Sequence, residues 1–179
     1  GREFKEDKPP AGIGYTADSL SAGKGGTPRP AANGGKVWVI GAGPAGLSAA
    51  LSASERGFAV EVFEKEDSPG GQIRSASRPP RKEAFMDWVS WAVRRLHTRG
   101  VPIRFSEEVT RERLRKERPD AVILASGAMP AVAGIPGIDS DHVFDARDVL
   151  LGRVEPKSPA VILGAGYVGM ETADFLIAG

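Results

Sequence analysis

The sequence has no cysteine among its 179 residues. That excludes structural disulfides, a redox-active disulfide, thiolate metal sites and iron–sulfur ligation within this stretch. Histidine is scarce as well. His97 and His142 stand far apart, so no metal site is expected. Nor is there an excess of charge of one sign. With 24 basic and 23 acidic residues the formal net charge is +1, which gives no bulk electrostatic case for nucleic acid or a membrane surface as partner. No apolar run approaches the length of a membrane span, and no signal-peptide core opens the chain. A cytoplasmic protein is the expectation.

Residues 1–35 are rich in Gly, Pro, Ser, Lys and Ala and have almost nothing to bury. They read as a flexible linker or arm rather than as a phosphate site built on Lys24 or Arg29. The pattern changes at Lys36. Val37-Trp-Val-Ile40 is a short β-branched run, as expected of a buried parallel strand. A glycine turn follows, then a small-residue helix from about Ala45 to Arg56, stopped by Gly57. Ala59 to Glu64 reads as a second strand. Together these form one βαβ unit of roughly 30 residues.

Asp67 to Arg81 reads as a loop, and Lys82 to Arg99 as a helix with the stripe Phe85, Val89, Ala92, Val93 and Leu96. Trp88 and Trp91 widen that stripe and read as core rather than as a cofactor platform. Val101 to Phe105 reads as a strand, Thr110 to Glu117 as a short charged helix, and Ala121-Val-Ile-Leu124 as a buried strand. Val143 to Leu151 is expected to hold a strand end and a short helix. Ala160-Val-Ile-Leu163 reads as a further buried strand leading into a second glycine turn and a helix near Val168. The run Arg111-Glu-Arg-Leu-Arg-Lys-Glu-Arg118 mixes both signs and reads as a solvated helix face. No catalytic acid, base or nucleophile is visible, His97 included.

Gly41-Ala42-Gly43-Pro44-Ala45-Gly46 matches G-x-G-x-x-G, with Ala50 four residues on. It follows a strand, opens a helix and precedes an acidic strand end, the context that turns a pattern into a mechanism. Gly41 allows the tight turn, Gly43 lets a pyrophosphate approach the backbone, and Gly46 with Ala50 lets helix and strand pack closely. The free N–H groups at the helix start, with roughly half a positive charge from its dipole, then hold the diphosphate. Glu64 lies about 20 residues further, where a carboxylate accepts hydrogen bonds from ribose hydroxyls. A 2′-phosphate about 4 Å from it would be repelled by about 4 kcal/mol at an effective dielectric near 20. The site is therefore expected to prefer FAD, NAD or ADP over NADP.

Val39-Ile-Gly-Ala-Gly-Pro-Ala-Gly-Leu-Ser-Ala-Ala50, Phe63-Glu-Lys-Glu-Asp-Ser-Pro-Gly-Gly-Gln-Ile-Arg74 and Leu124-Ala-Ser-Gly127 resemble the two-dinucleotide-binding-domain flavoproteins. Gly71-Gln-Ile-Arg74, Pro79-Pro-Arg-Lys-Glu-Ala-Phe85, Arg118-Pro-Asp-Ala-Val-Ile-Leu-Ala-Ser-Gly-Ala-Met-Pro130 and Ile135-Pro-Gly-Ile-Asp139 narrow the likeness. They resemble the C-terminal half of NADH:flavin oxidoreductases related to old yellow enzyme, of the 2,4-dienoyl-CoA reductase kind, with the trimethylamine dehydrogenases as cousins. Asp148-Val-Leu-Leu-Gly152 and Val161-Ile-Leu-Gly-Ala-Gly-Tyr-Val-Gly-Met-Glu-Thr-Ala173 extend it to the end of the chain, and Gly1-Arg-Glu3 resembles the segment after the family's cluster cysteines.

The resemblance implies an α/β, Rossmann-like FAD/NAD(P)-binding fold with a parallel sheet, incomplete at both ends. Residues 36–157 would be the leading portion of a FAD domain and 158–179 the start of an NAD(P) domain. Glu64 and Lys65 would meet the FAD ribose, and Gly71, Gln72 and Arg74 would lie along the cofactor. Val109 would touch adenine through its backbone, and Ala125, Ser126 and Gly127 would run beside FAD. Gly164, Gly166, Tyr167, Val168 and Gly169 would open the NAD(P)H site, its choice of NAD or NADP undetermined. Ala131 stands where relatives carry a basic residue. An FMN barrel and a 4Fe-4S cluster would belong to an upstream part.

The resulting expectation is an NAD(P)H-dependent flavoprotein oxidoreductase in which the 179 residues alone bind ADP-type nucleotides without turnover. The alternatives are an ADP-binding structural module, as in trimethylamine dehydrogenase-like proteins, and part of a thioredoxin reductase-like disulfide reductase.

Overall fold

The computed structural model describes residues 34–131 and 134–178. The readings of the N-terminal arm, of Lys24 and Arg29 and of Gly1-Arg-Glu3 lie outside the described residues. The described chain falls into two compact units, residues 34–71 with Met86–Gly127, and Gln72–Phe85 with residues 128–178.

The first unit is a parallel four-stranded sheet of β1 (Lys36–Ile40), β2 (Ala59–Phe63), β3 (Ile103–Arg104) and β4 (Ala121–Leu124), in the order β3-β2-β1-β4. Helix α1 (Pro44–Glu55) joins β1 to β2 and packs along β1, β2 and β4. Pro44 suits the first turn because its missing N–H would be unpaired there in any case. Gly57, at φ +87°, ends the helix. The core is Val37, Trp38, Val39, Leu47, Ala50, Val60, Val62 and Phe63, with Val89, Ala92, Val93 and Leu96 from helix α3 (Ala84–Thr98). Phe85 departs from the expected stripe and is exposed, while Trp88 and Trp91 are half-buried. Both follow from position. Phe85 lies in the helix's first turn, and the two indoles flank the buried row of Val89, Ala92, Val93 and Leu96.

Period-two geometry sorts the strands. The register pairs Trp38 with Glu61, Ile40 with Phe63, and Phe63 with Arg104, so Lys36, Trp38, Glu61, Phe63 and Arg104 share one face. Helix α4 (Arg111–Glu117) carries Arg113 over that face, and Thr110 caps it by accepting the Arg113 N–H at 3.2 Å. Two strand expectations change. The strand expected over Val101–Phe105 shrinks to β3, because the chain turns at Ser106, which sits at φ +54°. β4 was expected to be buried but is an edge strand, with Leu124 at 74% exposure.

The second unit holds α2 (Ile73–Ala76), a short turn that the loop reading of Asp67–Arg81 missed, α5 (Ala146–Leu150) and α6 (Tyr167–Ala178). Asp145 caps α5 by accepting the Arg147 N–H at 2.7 Å, and no strand precedes it. Basic residues of the Gln72–Phe85 stretch hold α6. Lys82 pairs with Glu171, Arg81 lies 3.9 Å from Asp174, and Arg78 sits over the Phe175 ring. The strand expected at Ala160–Leu163 is absent. No other described strand pairs with it, and Val161 and Leu163 stay exposed. A β-strand exists only through its ladder bonds, and an apolar run without a neighbour cannot make them.

Candidate functional site: the glycine turn at the sheet's carboxyl edge

In the first unit the carboxyl ends of β1, β2 and β4 converge on Gly41. Gly41 N–H donates to Phe63 O at 2.7 Å, and Ala125 N–H donates to Ile40 O at 2.8 Å. This edge is where open parallel sheets bind ligands. Gly41 sits at φ +107°, a conformation that favours glycine, and a β-carbon there would lie 2.3 Å from Ala125 O. A β-carbon on Gly46 would lie 1.8 Å from Gly41 O. These two glycines are therefore demanded by the chain itself. Gly43 differs. A β-carbon there would meet only Gly71 Cα, at 3.9 Å, so the chain itself leaves room at this place.

The start of α1 is prepared for an anion. Gly43 caps it with no side-chain acceptor, and no acid occupies its first turn. Its unpaired N–H groups and positive dipole end are left for a ligand. By contrast, the starts of α4 and α5 are capped by their own side chains. A diphosphate fits this cradle, with backbone donors and no carboxylate within the first helical turn.

Glu64 is buried at 7% exposure at the end of β2. Its Oε2 accepts the Ala42 N–H at 2.7 Å and its Oε1 accepts the Glu66 N–H at 3.0 Å. The carboxylate thus clasps the glycine turn, a role sequence reasoning did not assign. An ionised carboxylate offers about four lone-pair sites, so two backbone donors leave capacity for ribose hydroxyls. Glu64→Ala is expected to weaken ADP binding tenfold to a hundredfold, the loss of roughly 1.5–3 kcal/mol for a charge-assisted bond. Glu64→Gln keeps an acceptor for Ala42 and should lose less. Both variants should discriminate less between ADP and 2′-phospho-ADP by calorimetry. Full discrimination retained in Glu64→Ala would remove Glu64 from the ribose site.

The other expected residues divide between the units. Ala42, Pro44, Ala45, Lys65, Gly71, Val109, Ala125, Ser126 and Gly127 join Gly41, Gly43, Gly46 and Glu64 in the first. Lys65, Gly71, Ser126 and Gly127 are exposed and Val109 is half-buried. Gln72 and Arg74 belong to the second, where Gln72 Nε2 donates to Ala128 O at 2.9 Å.

The second glycine turn repeats the first in detail. Gly164 sits at φ +109°, and a β-carbon on Gly169 would lie 2.0 Å from Gly164 O. Met170 N–H donates to Gly166 O at 3.0 Å, as Leu47 N–H does to Gly43 O at 2.9 Å. Nothing lies within 4 Å of a β-carbon on Gly164 or Gly166, and Tyr167 and Val168 are exposed. The turn geometry is thus encoded locally, without a paired strand before it.

Among the described residues no group of His, Asp and Glu is placed to hold a metal ion, and no helix is long and apolar enough to cross a membrane.

The pattern of the pyridine nucleotide-disulphide oxidoreductase family matches residues 35–178. Bilirubin reductase of Mediterraneibacter gnavus is 40% identical over 141 residues, and NADH oxidase of Thermoanaerobacter brockii 39% over 145 residues. Each alignment covers 79% of this chain, which spans only 22% of the length of either relative. A solved 2-naphthoyl-CoA reductase superposes over 84% of this chain and 23% of its own, with a TM-score of 0.78 and 30% identity. Disulphide chemistry named by the family finds no cysteine here. The chain belongs to the pyridine nucleotide-disulphide oxidoreductase family, a family of flavoenzymes, as an FAD/NAD(P)-binding region of the 2,4-dienoyl-CoA reductase-like kind.

Proposed function

We propose that this chain holds the ADP half of FAD on the Gly41–Gly46 turn and serves as the cofactor-binding portion of an NAD(P)H-dependent flavoprotein oxidoreductase. The observation that carries this reading is the uncapped, acid-free start of α1, with open space at Gly43 and Glu64 clasping the turn. The N–H groups of Ala45 and Gly46 hold the diphosphate, Glu64 takes ribose hydroxyls, and the backbone at Val109 meets adenine. Gly71 and Ala125–Gly127 lie along the cofactor, while Gly164–Gly169 opens an NAD(P)H site in a domain beginning near residue 158.

When bound, FAD supplies a two-electron carrier between NAD(P)H and an upstream FMN barrel with a 4Fe-4S cluster, where an unsaturated substrate such as a 2,4-dienoyl-CoA is reduced. This chain's part is to bind and orient. The test is the visible spectrum of the purified chain after incubation with FAD and gel filtration, with ADP as competitor. Retained flavin bands that ADP displaces are the expected result. ADP binding without retained flavin would instead favour a structural ADP module. Binding of neither would overturn the site.

A further inference from the structure

The charged run on α4 does more than face solvent. Six side chains of alternating sign close a ring over the aromatic face of the sheet. Lys36 lies 3.3 Å from Glu61, and Glu61 3.3 Å from Arg104. Arg104 lies 3.9 Å from Glu107, and Glu107 3.4 Å from Arg113. Arg113 lies 3.0 Å from Glu117, and Glu117 3.8 Å from Lys36. Within the ring, the Arg113 guanidinium sits 4.7 Å from the Phe63 ring centroid and 5.4 Å from that of Trp38. Lys36 lies 5.0 Å from the Trp38 centroid. Cations over aromatic faces are attracted by the ring quadrupole. A closed network on an apolar floor also fixes geometry better than isolated surface pairs do. Its hydrogen bond to Glu117 and the charges of Glu107 and Glu117 raise the Arg113 pKa against a smaller opposing effect of burial, so the cation persists.

What this ring fixes is the stretch leading to Val109. Ser106 N–H donates to Glu66 O and Glu107 N–H to Glu64 O, each at 2.9 Å. Beyond Glu107, no backbone–backbone bond holds Glu108 or Val109 among the described residues, until Leu114 N–H meets Thr110 O. Arg113 supplies the tie from the other side. It grips the Glu107 carboxylate and anchors α4 on Trp38 and Phe63, so Val109 is strung between two fixed points.

We propose that Arg113 is a positioning residue for the adenine end of the nucleotide site. It sets the Val109 backbone so that it reads the edge of the base. This rests on the ADP-site reading above.

The experiment measures ADP and IDP affinity of the full chain by calorimetry in wild type, Arg113→Met, Arg113→Lys and Glu107→Gln. IDP differs from ADP at the base edge, carrying an oxygen in place of the amino group. Wild type should prefer ADP. Arg113→Met should lose about tenfold in ADP affinity but little for IDP, as expected when one charge-assisted constraint on the base contact is removed. Glu107→Gln should show the same narrowing, and Arg113→Lys should recover part of the preference. Equal weakening of both nucleotides, or an unchanged ratio in Arg113→Met, would overturn the proposal. If Arg113→Met fails to fold, the Glu107→Gln ratio decides. Failure of wild type to bind ADP at all would instead defeat the underlying site.

Discussion

Gly46→Ala is expected to unfold much of the population at room temperature. The added β-carbon would lie 1.8 Å from Gly41 O and 2.9 Å from Gly41 C, both backbone atoms. No side-chain rotation relieves such a contact, so α1 must move off β1. α1 supplies the buried Leu47, Ala50, Leu51 and Ala53, and a shift of the helix opens the core they fill. A loss above about 4 kcal/mol is in the range of severe backbone and core defects. It is a large share of the roughly 5–15 kcal/mol that holds a domain together. Urea titration followed by circular dichroism measures it. Gly41→Ala should behave alike, since it combines φ +107° with a 2.3 Å approach to Ala125 O. An unchanged urea midpoint in Gly46→Ala would show that the helix does not press on the turn as described.

The first βαβ unit was legible because every local signal agreed there. A β-branched run, glycines, Pro44 and small helix residues all specify the same turn. The acidic strand end was legible too, though its spacing suggested only a ribose role. That Glu64 also clasps Ala42 N–H depends on its burial beside the turn, which spacing does not reveal. β4 and the apolar run at Ala160–Leu163 illustrate a different limit. Apolar composition marks a segment as able to be buried, but neighbours decide whether it is. β4 gained one partner, β1, and the second run gained none.

The Arg111–Arg118 run is mostly solvent-facing, as its mixed charge implied, but composition does not show where Arg113 packs. Mixed charge with no apolar stripe reads as solvent-facing, and none of the helix is fully buried. Yet Arg113 finds two aromatic faces on strands far away in sequence. The usable signal was Trp38 and Phe63 two positions apart in register on one face of neighbouring strands, with Lys36 and Glu61 on the same face. A single charged helix could not have pointed to it.

Gly43→Val is expected to leave the fold in place and abolish nucleotide binding. Gly43 has φ −74° and ψ −178°, extended backbone that valine adopts without strain. Its β-carbon would meet only Gly71 Cα, at 3.9 Å, an ordinary contact. Stability should therefore change by no more than about 1 kcal/mol. Binding is another matter. Phosphate oxygens must come within about 2.7–3.2 Å of the backbone donors at the start of α1. A branched side chain on Gly43 occupies that approach. Losing two bonds to a charged ligand, at roughly 1.5–3 kcal/mol each, weakens binding by about a hundredfold or more. Calorimetry with ADP and FAD, beside a urea titration of the same variant, measures both halves. Gly43→Ala, with no branch, should fall between wild type and valine in affinity and match wild type in stability. Undiminished ADP affinity in Gly43→Val would place the diphosphate elsewhere. A large loss of stability would show instead that Gly43, like Gly46, is needed by the chain rather than by its ligand.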